Sequence, residues 1–238
     1  MIKLFDILNE GVYDPGIFKA VFTAGGPGSG KSYTASTLFG MPEKRPFVSA
    51  KGLKGVNSDQ AFESLLSKMG LPKDLRNLSQ AKVKQYAKVR DKAKVLTKKR
   101  MQMFINSKLG MLIDGTGKNY NKIAKMKKQL QDEGYDCYMV FVNTDLEVAL
   151  KRNAKRDRKV PEDIVKKAWQ EVNQNLGKYQ SLFGGSNMLI VDNSEYKEFE
   201  DKVKSKAMQF VNRPIQNHIA KKWIKKELEV RKWLGALK

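Results

Sequence analysis

The chain has one cysteine, Cys137, and one histidine, His218. A single thiol excludes an intrachain disulfide framework and fits a reducing compartment. A single imidazole excludes a multi-histidine metal site. Cys137 follows Gly134-Tyr135-Asp136 and opens an apolar run, so it reads as a small core residue rather than a nucleophile. No stretch approaches the roughly 18 apolar residues of a membrane span. Asp6, Asn9 and Glu10 break up any leader-like apolar run at the N-terminus. The expectation is a cytoplasmic chain with no membrane association. Acidic residues are also scarce, 25 against 46 basic ones, for a net charge of +21. Such an imbalance suits anionic partners, nucleic acid foremost, or a solvated surface that keeps the chain soluble. Lysine supplies most of this charge, with only nine arginines. A length of 238 residues, 41% of them hydrophobic, is enough for one domain with a core.

What is present is concentrated in Gly25-Gly26-Pro27-Gly28-Ser29-Gly30-Lys31-Ser32, a full match to G-x-x-x-x-G-K-[ST]. Ala20–Ala24 before it reads as a buried strand, and Tyr33–Phe39 after it can continue as a helix. Strand, glycine loop and helix together form a phosphate cradle. The glycines let backbone amides approach the phosphate, and the helix dipole points at it. Lys31 can reach the β- and γ-oxygens, and Ser32 can ligate Mg²⁺. Residues Gly25 through Tyr33 are therefore the expected nucleotide contacts, with ATP and Mg²⁺ as the expected ligands.

Five apolar runs read as strands: 19–24, 53–57, 110–113, 138–142 and 188–191. Helical patterns separate them, which predicts a parallel, doubly wound α/β sheet. The connector 41–46 follows the cradle helix. Helices are expected over 61–69, 79–108 (long and very basic, with an apolar stripe from Val83 through Leu96 to Phe104) and 121–131. Thr144 with Glu147 reads as a capping box for a helix running to about Asp157. Pro161 fits the first turn of a helix that buries Ile164, Val165, Ala168, Trp169, Val172 and Leu176. Helices are also expected over 195–211 and, from Pro214, over 214–237. In that last segment Trp223 and Trp233 sit among lysines, either as packing residues or as base-stacking platforms.

Ligands of such sheets gather at the carboxyl ends of the strands. Asp59, after the second strand, either activates an acceptor hydroxyl or caps the next helix. Asp114, ending the third strand, either holds the Mg²⁺ shell or orients the acceptor, or is a plain turn residue. Asp114-Gly115-Thr116 resembles part of a phosphatase motif, but Leu112 stands where that motif needs an aspartate. Thr116 belongs to a loop beside the substrate. Three of the nine arginines fall within residues 152–158. Arg152 and Arg156, four residues apart, would share one helical face and meet phosphate oxygens.

The cradle, Asn57-Ser58-Asp59, Asp114-Gly115-Thr116 and the arginine segment leading into Val160-Pro161-Glu162-Asp163-Ile164 together resemble the P-loop kinase group of polynucleotide 5′-kinases and zeta-toxin-type kinases, including zeta-toxin-like proteins of tailed phages. For residues 19–193 the resemblance implies a P-loop NTPase sheet of order 2-3-1-4-5. It also implies transfer of the ATP γ-phosphate to a hydroxyl, with Asp59 as general base and Arg152 and Arg156 as lid arginines. It gives no counterpart for the basic helical insertion, placed at about 75–109. The expected organisation is a kinase domain over 1–194, with its lid at about 151–160, followed by C-terminal basic helices over 195–238. A nucleic-acid 5′-hydroxyl suits the net charge. A sugar nucleotide suits the zeta-toxin side. The alternative is an ATP-binding nucleic-acid-binding or phage structural protein without turnover. A motor ATPase is disfavoured, because the third strand lacks a paired Asp-Glu ending. If the chain is phage-borne, its compartment is the host cytoplasm.

Overall fold

The computed structural model describes residues 11–42, 47–76, 78–156, 158–195 and 199–236. Asp6, Asn9 and Glu10, most of the 41–46 connector, Asp157 and the last two residues lie outside that set. The strands are β1 (Lys19–Ala24), β2 (Lys54–Val56), β3 (Met111–Asp114), β4 (Asp136–Asn143) and β5 (Met188–Asp192). All four pairings are parallel, in the order β2-β3-β1-β4-β5. This is the P-loop NTPase sheet that the resemblance implied. Among the described residues, nine α-helices surround it. They are α1 (Lys31–Phe39), α2 (Ser58–Lys68), α3 (Gln80–Asn106), α4 (Tyr120–Asp132), α5 (Leu146–Ala154), α6 (Glu162–Gln174), α7 (Leu176–Phe183), α8 (Asp201–Asn212) and α9 (His218–Ala236). Among the described residues no helix is long and apolar enough to cross a membrane.

Strand side chains alternate between the two faces. Phe22, Met111, Ile113, Met139 and Phe141 build one core with Leu130 of α4, Tyr179 and Phe183 of α7, and Ala220 of α9. Val21, Leu112, Tyr138, Val140, Leu189 and Val191 build the other with α1 and α8. Cys137 is buried, and its thiol is pushed up to about 12 by burial, so it stays protonated and inert.

The 27-residue α3 is about 40 Å long and is held at two places. Tyr86, Val89 and Ala93 pack on Phe62 and Leu66 of α2. Met101, Phe104 and Ile105 at the far end reach the first core. The expected stripe is therefore interrupted: Val83 and Leu96 are exposed, because the short α2 covers only a few turns of its partner.

Three other expectations shift. The helix expected to bury Leu176 stops at Asn175, whose amide donates to the Gly117 and Lys118 carbonyls (3.2 and 2.8 Å), and α7 starts afresh. Ile164 is 49% exposed. The final helix begins at His218 rather than Pro214, because the Asp136 carboxylate takes the amides of Gln216 and Asn217 (2.8 and 3.0 Å) in a non-helical turn. Asp136 also pairs with the buried Lys19 at 3.6 Å, and Lys19 donates to the Arg213 carbonyl at 2.5 Å. Burial lowers the Lys19 pKa, and Asp136 opposes that shift. Trp223 packs edge-on against Phe18 at 5.5 Å, whereas Trp233 is 65% exposed.

Phe210 of α8 stacks on Tyr138 of β4, with ring centroids 4.9 Å apart. Truncating this fully buried ring removes area and leaves a cavity. Phe210→Ala should cost about 3–5 kcal/mol in urea unfolding. A loss well under 1 kcal/mol would show that α8 contributes little to the core.

Candidate functional site

The cradle runs from the end of β1 into α1. Gly28 and Gly30 have φ of 80° and 85°, which β-carbon-bearing residues rarely adopt. A Cβ on Gly28 would meet the Ala149 carbonyl, and one on Gly30 would meet the Asn193 amide. The loop is fastened from the β4–β5 side. The Ser29 carbonyl accepts from Asn193 Nδ2 (2.8 Å) and from Thr144 Oγ1 (3.0 Å). Thr144 thus anchors the cradle and does not cap α5, whose N-terminal flank is Asp145. Lys31 Nζ donates to the Gly25 and Gly26 carbonyls (2.8 and 3.1 Å). Burial lowers its pKa, and Asp114 and Asp59 counter this. Ser29 Oγ is buried with no hydrogen-bond partner.

Asp114 ends β3 beside this loop. Its Oδ1 accepts from Thr23 Oγ1 of β1 (2.8 Å), and its Oδ2 accepts from Asn57 Nδ2 (2.6 Å). Burial raises its pKa, while Lys31 and the Thr23 hydrogen bond pull it down. Asn57 does a second job: its Oδ1 accepts the Asp59 amide at 2.7 Å and so caps α2. The cap is therefore Asn57, which frees the Asp59 side chain for other partners.

Those partners are two arginines. Asp59 Oδ1 lies 2.5 Å from Arg90 Nη2 of α3, and its Oδ2 accepts from Arg158 Nη2 at 2.9 Å. Arg158 Nε lies 2.8 Å from Glu63 Oε1. Burial would raise the Asp59 pKa, but Arg158 and Arg90 outweigh it and hold the carboxyl below its usual value. A lowered carboxylate pKa means that the stabilisation from these pairs is present at neutral pH and fades as the pH falls through the folded-state value.

The arginine segment expected to form a lid differs from the expected single face. α5 ends at Ala154, so Arg156 lies beyond the helix while Arg152 lies on it. Arg152 Nη1 donates to the Asn193 carbonyl at 2.7 Å. Asn153 closes the lid loop by bonding both the carbonyl and the amide of Val160 (2.7 and 3.2 Å). The Leu75 amide, on the α2–α3 connector, bonds the Lys159 carbonyl at 3.1 Å.

All of this borders one open cleft of about 620 Å³, into which Pro27, Gly28, Gly30, Lys31, Ser32, Asp59, Asp114, Thr116, Arg152 and Arg156 all face. Of the remaining expected contacts, Gly25, Gly26 and Ser29 lie in the loop behind that surface, where the Gly25 amide bonds the Thr116 carbonyl at 3.0 Å. Tyr33 is not among the cleft-lining residues and packs on Phe199 at 5.5 Å. The cleft also admits Asn57, Glu63, Arg90 and Arg158, to which the sequence had assigned no role. Arginine rarity was the available signal for Arg90, which sits in a helix otherwise dominated by lysine. Among the described residues no group of three or more His, Cys, Asp or Glu could hold a metal. Ser32 and Asp114 both line the cleft and carry oxygen donors of the kind that Mg²⁺ accepts.

A family model described as an AAA domain matches residues 21–178. No curated protein matches the chain. Among solved structures, a putative kinase from Chloroflexus aurantiacus superposes with a TM-score of 0.54 at 12% identity, covering 81% of this chain and 97% of that one. A chain of the AvrRxo1-ORF1:-ORF2 complex with ATP gives a TM-score of 0.57 at 17% identity over 79% of this chain and 58% of that one. A chain of the PezAT toxin-antitoxin system of Streptococcus pneumoniae gives 0.52 at 13% over 82% and 86%. At such identities the likeness is one of fold.

Two substitutions probe the site. Gly30→Ala should weaken nucleotide binding at least about tenfold, measured by calorimetry, because its Cβ displaces the Asn193 tether. Asn57→Asp keeps the α2 cap but sets a second carboxylate against Asp114. Its melting temperature, relative to the unsubstituted chain, should therefore fall as the pH rises from about 5 to about 8, as the shared proton is lost. A flat difference would mean that the two side chains do not interact.

Proposed function

The chain belongs to the AAA domain family whose model spans residues 21–178, and from that premise we propose that it is an ATP- and Mg²⁺-dependent kinase acting on a hydroxyl. The observation that carries the proposal is the convergence of Lys31, Asp114 and Asp59 on one cleft. Phosphoryl transfer needs a cradle, a metal, a base and positive charge, all within reach of one migrating group.

In this scheme the cradle amides and Lys31 hold the triphosphate, and Lys31 meets the β- and γ-oxygens. Ser32 and Asp114 would hold Mg²⁺, which would supply charge neutralisation for the phosphates. Asp59 takes the proton of the acceptor hydroxyl. The acceptor oxygen bonds to the γ-phosphorus, the bond from that phosphorus to the β-bridging oxygen breaks, and ADP leaves. Arg156, aided by Arg152 at the root of the lid, stabilises the equatorial oxygens of the transferring group.

The acceptor we favour is a nucleic-acid 5′-hydroxyl. The exposed face of α3 carries Lys82, Lys84, Lys88, Lys92 and Lys98, and α9 adds Lys221, Lys222, Lys225 and Lys226. Phosphate contacts of this kind give affinity that falls steeply with salt.

The test is γ-labelled ATP with 5′-hydroxyl DNA, 5′-hydroxyl RNA and nucleotide sugars. Label should appear on an oligonucleotide, and oligonucleotide affinity should fall at least about tenfold between 50 and 200 mM salt. Asp59→Asn should cut transfer by about 10²–10⁴-fold while leaving ATP affinity unchanged. Equal transfer by both proteins would remove Asp59 from the mechanism, and label on the nucleotide sugar alone would replace the acceptor.

A further inference from the structure

Asp59 is a weakened base while each of its oxygens is paired with a guanidinium, because those pairs hold the proton affinity of the carboxylate down. Arg90 Nη2 and Arg158 Nη2 occupy one each. Arg90 is fixed in place: its guanidinium lies over the Phe62 ring at 5.1 Å, and its second terminal nitrogen, Nη1, is buried with no hydrogen-bond partner. A buried guanidinium N–H without an acceptor costs stability, and it marks a position built to meet one. Arg158 is similarly confined. Its Nε makes no hydrogen bond despite lying 2.8 Å from Glu63 Oε1. Both arginines line the cleft. β3 separates β2, which leads to Asp59, from β1, which leads to the cradle. At the usual strand spacing the arginine pair lies roughly 10 Å across the sheet from the triphosphate end, on the side left for the acceptor.

We propose that Arg90, together with Arg158, is the receptor for a phosphate group of the acceptor, and that this phosphate, by taking over the two guanidiniums, releases Asp59 to the accepting hydroxyl. The proposal deepens the kinase assignment and rests on it for the role of Asp59. Guanidinium forks bind phosphate oxygens as well as carboxylate oxygens, so the exchange trades one set of charge-assisted hydrogen bonds for another. An alcohol without a phosphate leaves Asp59 clamped. The lowered pKa of the clamped carboxyl agrees with a weak base at rest. The device thus makes the base available only when the correct acceptor is seated, which is specificity by induced fit. The phosphate could belong to an oligonucleotide or to a nucleotide sugar, and the ligands below separate the two.

The test measures binding without ATP, so it needs no turnover. The probes are a 5′-hydroxyl dinucleotide bearing a 3′-phosphate, the matching nucleoside without phosphate, and a nucleoside diphosphate sugar. The unsubstituted chain should prefer one phosphate-bearing probe over the nucleoside by at least about tenfold, and whichever is preferred names the source. Arg90→Met should erase most of that preference and leave ATP affinity unchanged. Asp59→Asn should strengthen binding of the same probe, because the competing carboxylate charge is gone. Arg90→Lys, which keeps the charge and the stem but gives up the fork, should lose part of the preference and covers the case in which Arg90→Met fails to fold.

An unchanged preference in the Arg90 variants overturns the proposal, as does weaker binding in Asp59→Asn. Were Arg90 only a brace for Asp59, its loss would move the acid limb of the transfer pH profile but not the ratio between phosphate-bearing and phosphate-free probes. If no acceptor is ever phosphorylated while the binding pattern holds, the kinase assignment fails and the phosphate receptor stands.

Discussion

The Asp114 carboxylate is the joint on which the site depends. Thr23 donates to it from β1 and Asn57 donates to it from the end of β2, so one side chain ties together the carboxyl ends of three adjacent strands. Beyond the strand ends the ladder offers no further backbone partners, so half-buried polar side chains there have to pair with one another. Here they find each other. Because Asn57 also caps α2, the same joint sets where Asp59 stands relative to the cradle. Burial raises the Asp114 pKa, so the free protein carries a cost there that a bound cation would offset.

Much of this was legible in the sequence because its signals are local. The glycine spacing of the cradle fixes a loop shape, and the apolar runs of β1 and β5 are bounded by obvious breakers, so both strands fall where the pattern puts them. Asp59 and Asp114 could be placed at strand ends from the runs before them. Three things were not legible, for three physical reasons. Arg90 reaches Asp59 from a residue 31 positions away along a helix that buries little, and no spacing rule links the two. Thr144 and Glu147 have the capping-box spacing, but α5 begins at Leu146, one residue too late for Thr144 to be its cap, and the Thr144 hydroxyl is turned to the Ser29 and Asn143 carbonyls. Asn175 breaks a helix whose apolar period runs on past it, because two loop carbonyls need its amide.

The electrostatics of the cleft divide into two halves that share a wall. On the cradle side, Lys31 donates to two backbone carbonyls, neutral partners. On the far side, Arg90 and Arg158 pair with a full carboxylate, a stronger partner for a cation. The lid belongs to both halves. Arg152 is tied to the β5 loop beside the cradle, whereas Arg158, a few residues on, is tied to Asp59.

The two-point attachment of α3 has a mechanical side. A helix of about 40 Å is stiff on the scale of a domain. One end grips α2 through Tyr86 and Val89, and the other end grips the sheet through Phe104 and Ile105. A rod seated at both ends cannot tilt at one without levering the other. A tilt of α3 at its Arg90 end would thereby be felt at its other end, where Tyr135 donates its hydroxyl to the Phe104 carbonyl.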